Sequence, residues 1–245
     1  MKQGVYEESL LAKYPIGLRY KEPGPWSRTF HYSKAAAALD LPGWAHCDTN
    51  GQREQNTSVE ARVVGDRDIT IALAGATKDQ FRNGVIIVHV APAGYERLYR
   101  IRTNDASVGA NCKIYLIDPI DVPVPMPQFV CVYPCIYSLV DKVGLTSVGF
   151  ETAVVVPIIQ VQNGYHFWGQ TWGLVEFTGT KTQGGITGER DLYVNPADGS
   201  FVAFHDIIAE GASTPNTVAW QRAGFLLPMT GALATDTLMM LQLAP

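Results

Sequence analysis

The sequence predicts a mainly β protein: an antiparallel sandwich or barrel-like domain with an extended N-terminal arm and at most short helices. Three observations lead there. Short segments rich in Val, Ile, Tyr and Phe recur with turn residues between them, their centres about 8–12 residues apart, as in sandwiches and barrels. Gly (23) and Pro (15) are spread along the 245 residues without a period, which excludes collagen and implies many turns. Helix is offered only briefly: Glu8 to Lys13 for one turn, the Ala-rich Lys34 to Leu41 for two turns before Pro42-Gly43 stops it, and Gly75 to Gly84 for a short turn or a single helical turn. A compact chain of this size buries roughly 70–75% of its unfolded surface, so its core holds without disulfides or metals.

Residues 1–26 read as an extended arm. Pro15, Gly17 and Pro23-Gly24-Pro25 force extended or turn backbone among the isolated aromatics Tyr6, Tyr14, Tyr20 and Trp26. With no periodic apolar face, the arm cannot form its own core, so it packs on the domain or reaches a neighbouring molecule, and those four rings are the candidate protein interface. Residues 27–245 form the mainly β domain, with a possible subdivision near 179–188. Arg28 to Tyr32 opens it as a strand. Asp48 to Ser58 (DTNGQREQNTS) lacks a hydrophobic pattern and reads as an exposed loop. Asp68 to Leu73 alternates polar and apolar residues with period two. The turn before the next strand ends in Asn83-Gly84, residues tolerant of positive φ. Val85 to Val90, Glu96 to Arg102 and Cys112 to Ile117 follow as strands, with Leu98 and Ile101 straddling an imperfect alternation in the second.

Asp118 to Pro127 has Pro at four of ten positions and cannot be a central strand, because the missing N–H groups would break the ladder. It reads as a crossover or an edge. Phe129 to Tyr133, Thr152 to Val156, Tyr165 to Trp168, Thr171 to Phe177, Leu192 to Val194, Phe201 to Phe204, Ala219 to Phe225 and Thr237 to Leu243 complete the strands. Gly179 to Gly188 and Glu210 to Thr217 separate the last of them.

Composition excludes several function classes. Lys+Arg number 19 against 23 Asp+Glu, for a net charge of −4. Without a basic stripe to neutralise phosphates, no nucleic-acid partner is expected. The longest apolar runs, Val85 to Val90 and Ala153 to Ile159, fall far short of the roughly 20 residues that span a bilayer, so no membrane partner is expected. No apolar run follows Met1 to Glu8, and no cleaved signal is expected. Cys47, Cys112, Cys131 and Cys135 therefore read as buried thiols of a reducing compartment. The C-x₃-C pair lacks a second pair at zinc-site spacing.

Nothing in the chain spells a catalytic motif. His31, His46, His89, His166 and His205 form no H-E-x-x-H and no helical pair. His89 and His205, inside apolar strands, read as hydrogen-bonded structural residues. No G-x-S-x-G elbow or phosphate loop is present. Asp118 and Asp121, beside Pro119 and Pro123, read as turn acids. The expectation is a non-enzymatic protein with no catalytic, metal or cofactor-binding residues.

The most concentrated feature is Asn163 to Gly173 (NGYHFWGQTWG), with four aromatics within eight residues. On a strand, Tyr165 and Phe167 face one side and His166 and Trp168 the other, with Gly169 at a bulge or a close backbone approach. Tyr165, Phe167, Trp168, Gln170 and Trp172 form a candidate core or interface motif, each ring able to bury some 150–250 Å². The alternative is a sugar-stacking platform of Tyr165, His166, Trp168 and Trp172, as in a receptor- or glycan-binding protein of a head fibre or tail.

GYHFWGQTWG resembles a Gly-Tyr-Tyr-Phe-Trp-x-Gln-Thr-Trp-Gly-Pro motif in a family of structural virion proteins of tailed bacteriophages. Arg28 to Ala35 is similar to that family's R-x-F-R-Y-A-K-A start. Gly75-Ala76-Thr77 with Asp79-Gln80-Phe81 and Asn83-Gly84 resembles its G-A-T-x-x-x-D-Q-Y-x-x-G turn, and Arg100-Ile101 and Leu116 to Pro119 its Y-R-I and L-x-D-P strand ends. The likeness spans about residues 14–175, with Leu174 where the family tends to have Pro. It implies a head-decoration or cement protein that binds the major capsid protein on the outer capsid surface of the virion, as a homo-oligomer, by analogy a trimer, after assembly in the host cytoplasm.

Overall fold

A computed structural model describes residues 2–48, 54–90, 95–143, 152–177, 190–195, 198–203, 221–227 and 237–244. Among these residues the fold is all β, and every strand pairing is antiparallel. The chain divides into two compact units, Met1–Thr49 with Tyr137–Pro245, and Asn50–Ile136. The second is thus an insertion into the first, at junctions that no shift in composition marks. The possible subdivision at Gly179 to Gly188 lies outside the described residues, as do Glu210 to Thr217 and His205.

The inserted unit holds six strands: β4 (Glu54–Thr57), β5 (Asp68–Ile71), β6 (Val85–Val90), β7 (Tyr95–Asn104), β8 (Cys112–Leu116) and β9 (Phe129–Tyr133). Their order is β4-β9-β6-β7-β8-β5. The two outer strands also meet: Ser58 bridges Ile71, Ala72 N–H donates to Thr57 C=O and Val59 N–H to Thr70 C=O, both at 2.9 Å. The sheet curls on itself, and joining its edges removes the exposed ladder that an open sheet presents. Period-two alternation fills the interior, with Ile69, Ile71, Ile86, Val88, Ile101, Ile114, Val130 and Val132 in one buried cluster. The proline-rich Asp118 to Pro127 is the crossover from β8 to β9, and it adds Ile120 and Val124 to that core.

Two expectations change here. The polar Glu54–Thr57, read as loop, is strand β4: it pairs β9 on one side, and tertiary pairing overrides its weak local preference. On β7, Leu98 points outward and Tyr99 and Ile101 point inward. Burial alternates regularly from Leu98 to Ile101, so two residues three apart fall on opposite faces, and the bulge between Ile101 and Thr103 shifts the register against β8 only beyond them.

The outer unit carries a ten-stranded sheet built from β1 (Arg19–Lys21), β2 (Thr29–Lys34), β3 (His46–Asp48), β10 (Val140–Lys142), β11 (Ala153–Pro157), β12 (His166–Phe177), β13 (Asp191–Val194), β14 (Phe201–Ala203), β15 (Arg222–Leu226) and β16 (Thr237–Gln242). Its path is β10-β3-β11-β12-β16-β15-β13-β14, with β2 and then β1 branching from β12. The two strands expected within 165–177 are one. Gly169 and Gln170 stay in register with β11 and β2, and a bulge between Gln170 and Trp172 redirects the strand onto β16.

The Ala-rich Lys34 to Leu41 is not helical, and neither is Glu8 to Lys13. Their backbone groups find partners across the fold instead: Ala36 N–H on Val140 C=O, Leu39 N–H on Val161 C=O, and Ser9 N–H on His166 C=O. Helix propensity over so few residues is worth too little to compete.

Gly169 is the close approach expected of it: a Cβ there would lie 2.5 Å from Val155 Cβ. Gly169→Ala is expected to destabilise the outer unit by about 1–3 kcal/mol through overpacking. Because the nearest atom is Val155 Cβ, which alanine would retain, the double variant Gly169→Ala/Val155→Gly should be less destabilised than the sum of its two single variants in chemical denaturation.

Candidate functional site

Strand β12 and the N-terminal arm make one structure. Trp168, 2% exposed, lies with Phe30, Tyr32 and Val5 in a buried cluster against which Tyr14, Tyr20 and Ile158 pack. Ring centroids separate Trp168 from Tyr32 by 5.0 Å, from Tyr14 by 5.2 Å and from Tyr20 by 5.7 Å. Such pairs add about 0.5–1.5 kcal/mol each beyond area burial.

The lock is polar. Gln3, 2% exposed, donates its side-chain amide to the carbonyls of His166 (2.9 Å) and Glu7 (2.8 Å), and its Oε1 accepts from the Tyr32 hydroxyl at 2.6 Å. Its backbone carbonyl accepts the Trp168 indole N–H at 3.1 Å. Further along, Ser9 and His166 exchange both backbone bonds, at 2.8 and 2.9 Å, and Lys13 N–H donates to the Tyr32 hydroxyl. Of the four arm rings expected at an interface, Tyr14 and Tyr20 therefore face inward and are half-buried. Tyr6 and Trp26 remain outside, joined by Leu10 and Leu11, and these four are between 61% and 70% exposed.

The motif residues divide in the same way. Phe167, Trp168 and Gln170 are buried, and Tyr165 and Trp172 are half-buried. His166 and Trp168 on one face both contact Tyr32, as alternation requires. Gln170 serves the bulge: its amide donates to the carbonyls of Trp172 (3.2 Å) and Leu174 (2.8 Å), which an interrupted ladder leaves to side chains. A sugar-stacking platform needs accessible ring faces, and burial of His166 and Trp168 removes two of the four proposed.

Arg28 ties the arm to β2 from the other side. It holds Glu22 through two bonds of 2.7 Å and lies 5.8 Å and 5.2 Å from the ring centroids of Tyr6 and Phe30. Tyr6, Arg28, Gly43, Gln170 and Glu176 line a cleft of about 300 Å³, so a residue of the arm and one of the motif meet at a single concavity. Sequence reasoning missed Gln3, Leu10, Leu11 and the contribution of Arg28. Nothing periodic marks them, and only Arg28 falls within a motif.

The titratable groups behave structurally. Burial pushes the imidazoles of His31 and His46 down to about 4, and Arg19 adds to the effect at His31. Burial also lowers His166. Asp118 accepts two bonds from Arg100 that hold its carboxyl low, and Asp121 is lowered by the Tyr99 hydroxyl, so both are turn acids with cation or hydroxyl partners. Among the described residues, no three His, Cys, Asp or Glu converge as a metal site, and no helix is long and apolar enough to cross a membrane. Compared with protein-family models, with curated proteins and with solved structures, the chain matches none.

Two outcomes follow. Gln3→Ala should cost about 1–3 kcal/mol, the price of stranding buried hydrogen-bonding groups, seen as a lower denaturation midpoint with faster exchange at the arm amides. A histidine whose folded pKa is depressed takes up its proton first in the unfolded chain, so stability is full above about pH 6.5 and is lost as pH falls towards 4. Each such group contributes a slope of up to about 1.4 kcal/mol per pH unit. His46→Gln should flatten the acid limb of a melting-temperature profile over that window.

Proposed function

We propose that the chain is a non-enzymatic structural protein of a tailed-phage virion that decorates the outer capsid surface and stabilises the head. The observation that carries this reading is the two-faced arm: its inner side is pinned by Gln3, Val5, Tyr14 and Tyr20, and its outer side presents Tyr6, Leu10, Leu11 and Trp26. Large apolar residues held outward on ordered backbone suit docking to another protein, since aromatic anchors dominate interface energies and their ordering is already complete. The resemblance in the β12 motif supplies the class of partner, the major capsid protein. Self-association as a trimer belongs to the same reading, by analogy with other decoration proteins.

The low charge content fits as well. A protein covered by neighbouring subunits needs fewer solvating groups than one surrounded by water, and a net charge of −4 suits an outer face better than a DNA-filled interior.

The arm's anchoring dictates the test. Deleting residues 1–26 would strip Gln3, Val5, Tyr14 and Tyr20 from the core and confuse binding with folding. The variant Leu10→Ser/Leu11→Ser/Trp26→Ser changes only exposed side chains. In co-sedimentation with expanded capsids lacking the protein, it should bind at least about tenfold more weakly, about 1.4 kcal/mol or more, with an unchanged denaturation midpoint. Undiminished binding would contradict the assignment of this face.

A further inference from the structure

We propose that Cys131, in the inserted unit, is a nucleophilic thiol that exchanges with small disulfides, with His89 accepting its proton and Glu96 positioning His89. This site is independent of the capsid-docking arm. Strand pairing creates it. On the outer face of the curled sheet, His89 of β6 sits opposite Glu96 of β7, and Cys131 of β9 sits opposite Ile87, diagonal to His89. The Cys131 Sγ lies 3.6 Å from His89 Nε2, and His89 Nδ1 lies 3.0 Å from Glu96 Oε1. A carboxylate at Nδ1 fixes the proton there and leaves the Nε2 lone pair for the thiol, the order of parts that activates a cysteine beside an imidazole. Phe129 flanks the ring at a centroid distance of 4.8 Å, and Gln128 donates to the backbone carbonyl of His89.

Two of the other thiols are placed differently. Cys47 points its Sγ at the carbonyls of Asp141 and Lys142, and Cys112 at that of Asp105, where burial raises its pKa. Carbonyls accept a thiol's hydrogen bond but cannot take its proton. Cys131 itself is 2% exposed, whereas Phe129 beside it is 41% exposed. The sulfur is therefore reached only through a local opening, which admits a compact disulfide more readily than a bulky one.

In the exchange, the Cys131 proton passes to His89 Nε2 and the thiolate attacks one sulfur of R–S–S–R. The Sγ–S bond forms as the S–S bond breaks, and the departing RS⁻ takes the proton to leave as RSH. The small disulfide is the oxidant, and one thiol is released per cysteine modified.

The test treats the native full-length chain with hydroxyethyl disulfide and follows each cysteine by peptide mass spectrometry. Cys131 should react at least about tenfold faster than Cys47 or Cys112, and His89→Gln should slow it by at least about threefold. Glu96→Gln, at an exposed position, should also slow it, and Glu96→Asp should restore most of the rate. That rescue separates positioning from a loss of structure, and denaturation midpoints verify folding of every variant. Smaller selectivity for Cys131, or a rate unchanged by both His89→Gln and Glu96→Gln, overturns the proposal.

Discussion

The outer unit depends on one buried amide. Gln3 brings three hydrogen-bonding groups into a site 2% exposed and satisfies them on His166, Glu7 and Tyr32, while its own carbonyl receives the Trp168 indole. A polar side chain placed there without partners would cost more than the arm's ordering could return. With every partner in place, the same group holds the arm in a single position. Tyr14 and Tyr20 then close over Trp168, and the residues that remain outside are set by what the inner side consumes.

The strand beneath the arm explains why an unusual run of residues is needed. β12 pairs with β2, β11 and β16 in turn, and both faces of its first half are covered. Large rings fill the space towards the arm, Gly169 admits Val155, and Gln170 satisfies the carbonyls that the bulge releases. Gly173, at φ 97°, passes where a Cβ would lie 2.9 Å from the Arg28 backbone, so the motif's last glycine is fixed by its neighbour across the sheet. Trp168, Gly169, Gln170 and Gly173 thus each answer a packing or hydrogen-bonding demand of this one strand. In the proposed reading the motif serves the fold, and recognition falls to the surface that it supports.

Much of this was legible in the residues. Alternation located β5, short runs of β-prone residues located β6, β8 and β9, the Asn83-Gly84 turn has Asn83 at φ 61° as its type suggested, and the prolines of 118–127 marked a crossover or an edge. What escaped was set by distant partners. β4 is polar because neighbouring strands hold it through its backbone, and β1, β3 and β10 are three residues each, too short for any period to register. The inserted unit begins and ends without a compositional signal, since its boundaries follow where ladders close. The arm's aromatics were visible, but their sorting into Tyr14 and Tyr20 inward and Tyr6 and Trp26 outward depended on Gln3, a residue with no local signature. The Cys131, His89 and Glu96 cluster escaped for the same reason: three strands bring it together from positions 131, 89 and 96.

The central claim is that the arm is an ordered part of the outer unit and presents a fixed apolar face. Native-state hydrogen exchange measures this directly. The amides of Ser9, Lys13 and Gly17, bonded to His166, the Tyr32 hydroxyl and Tyr32 C=O respectively, should exchange far more slowly than in an unstructured chain, and together with those of β2 and β12. Exchange of these three amides at the unprotected rate, with β2 and β12 still protected, would show a free arm and contradict the account.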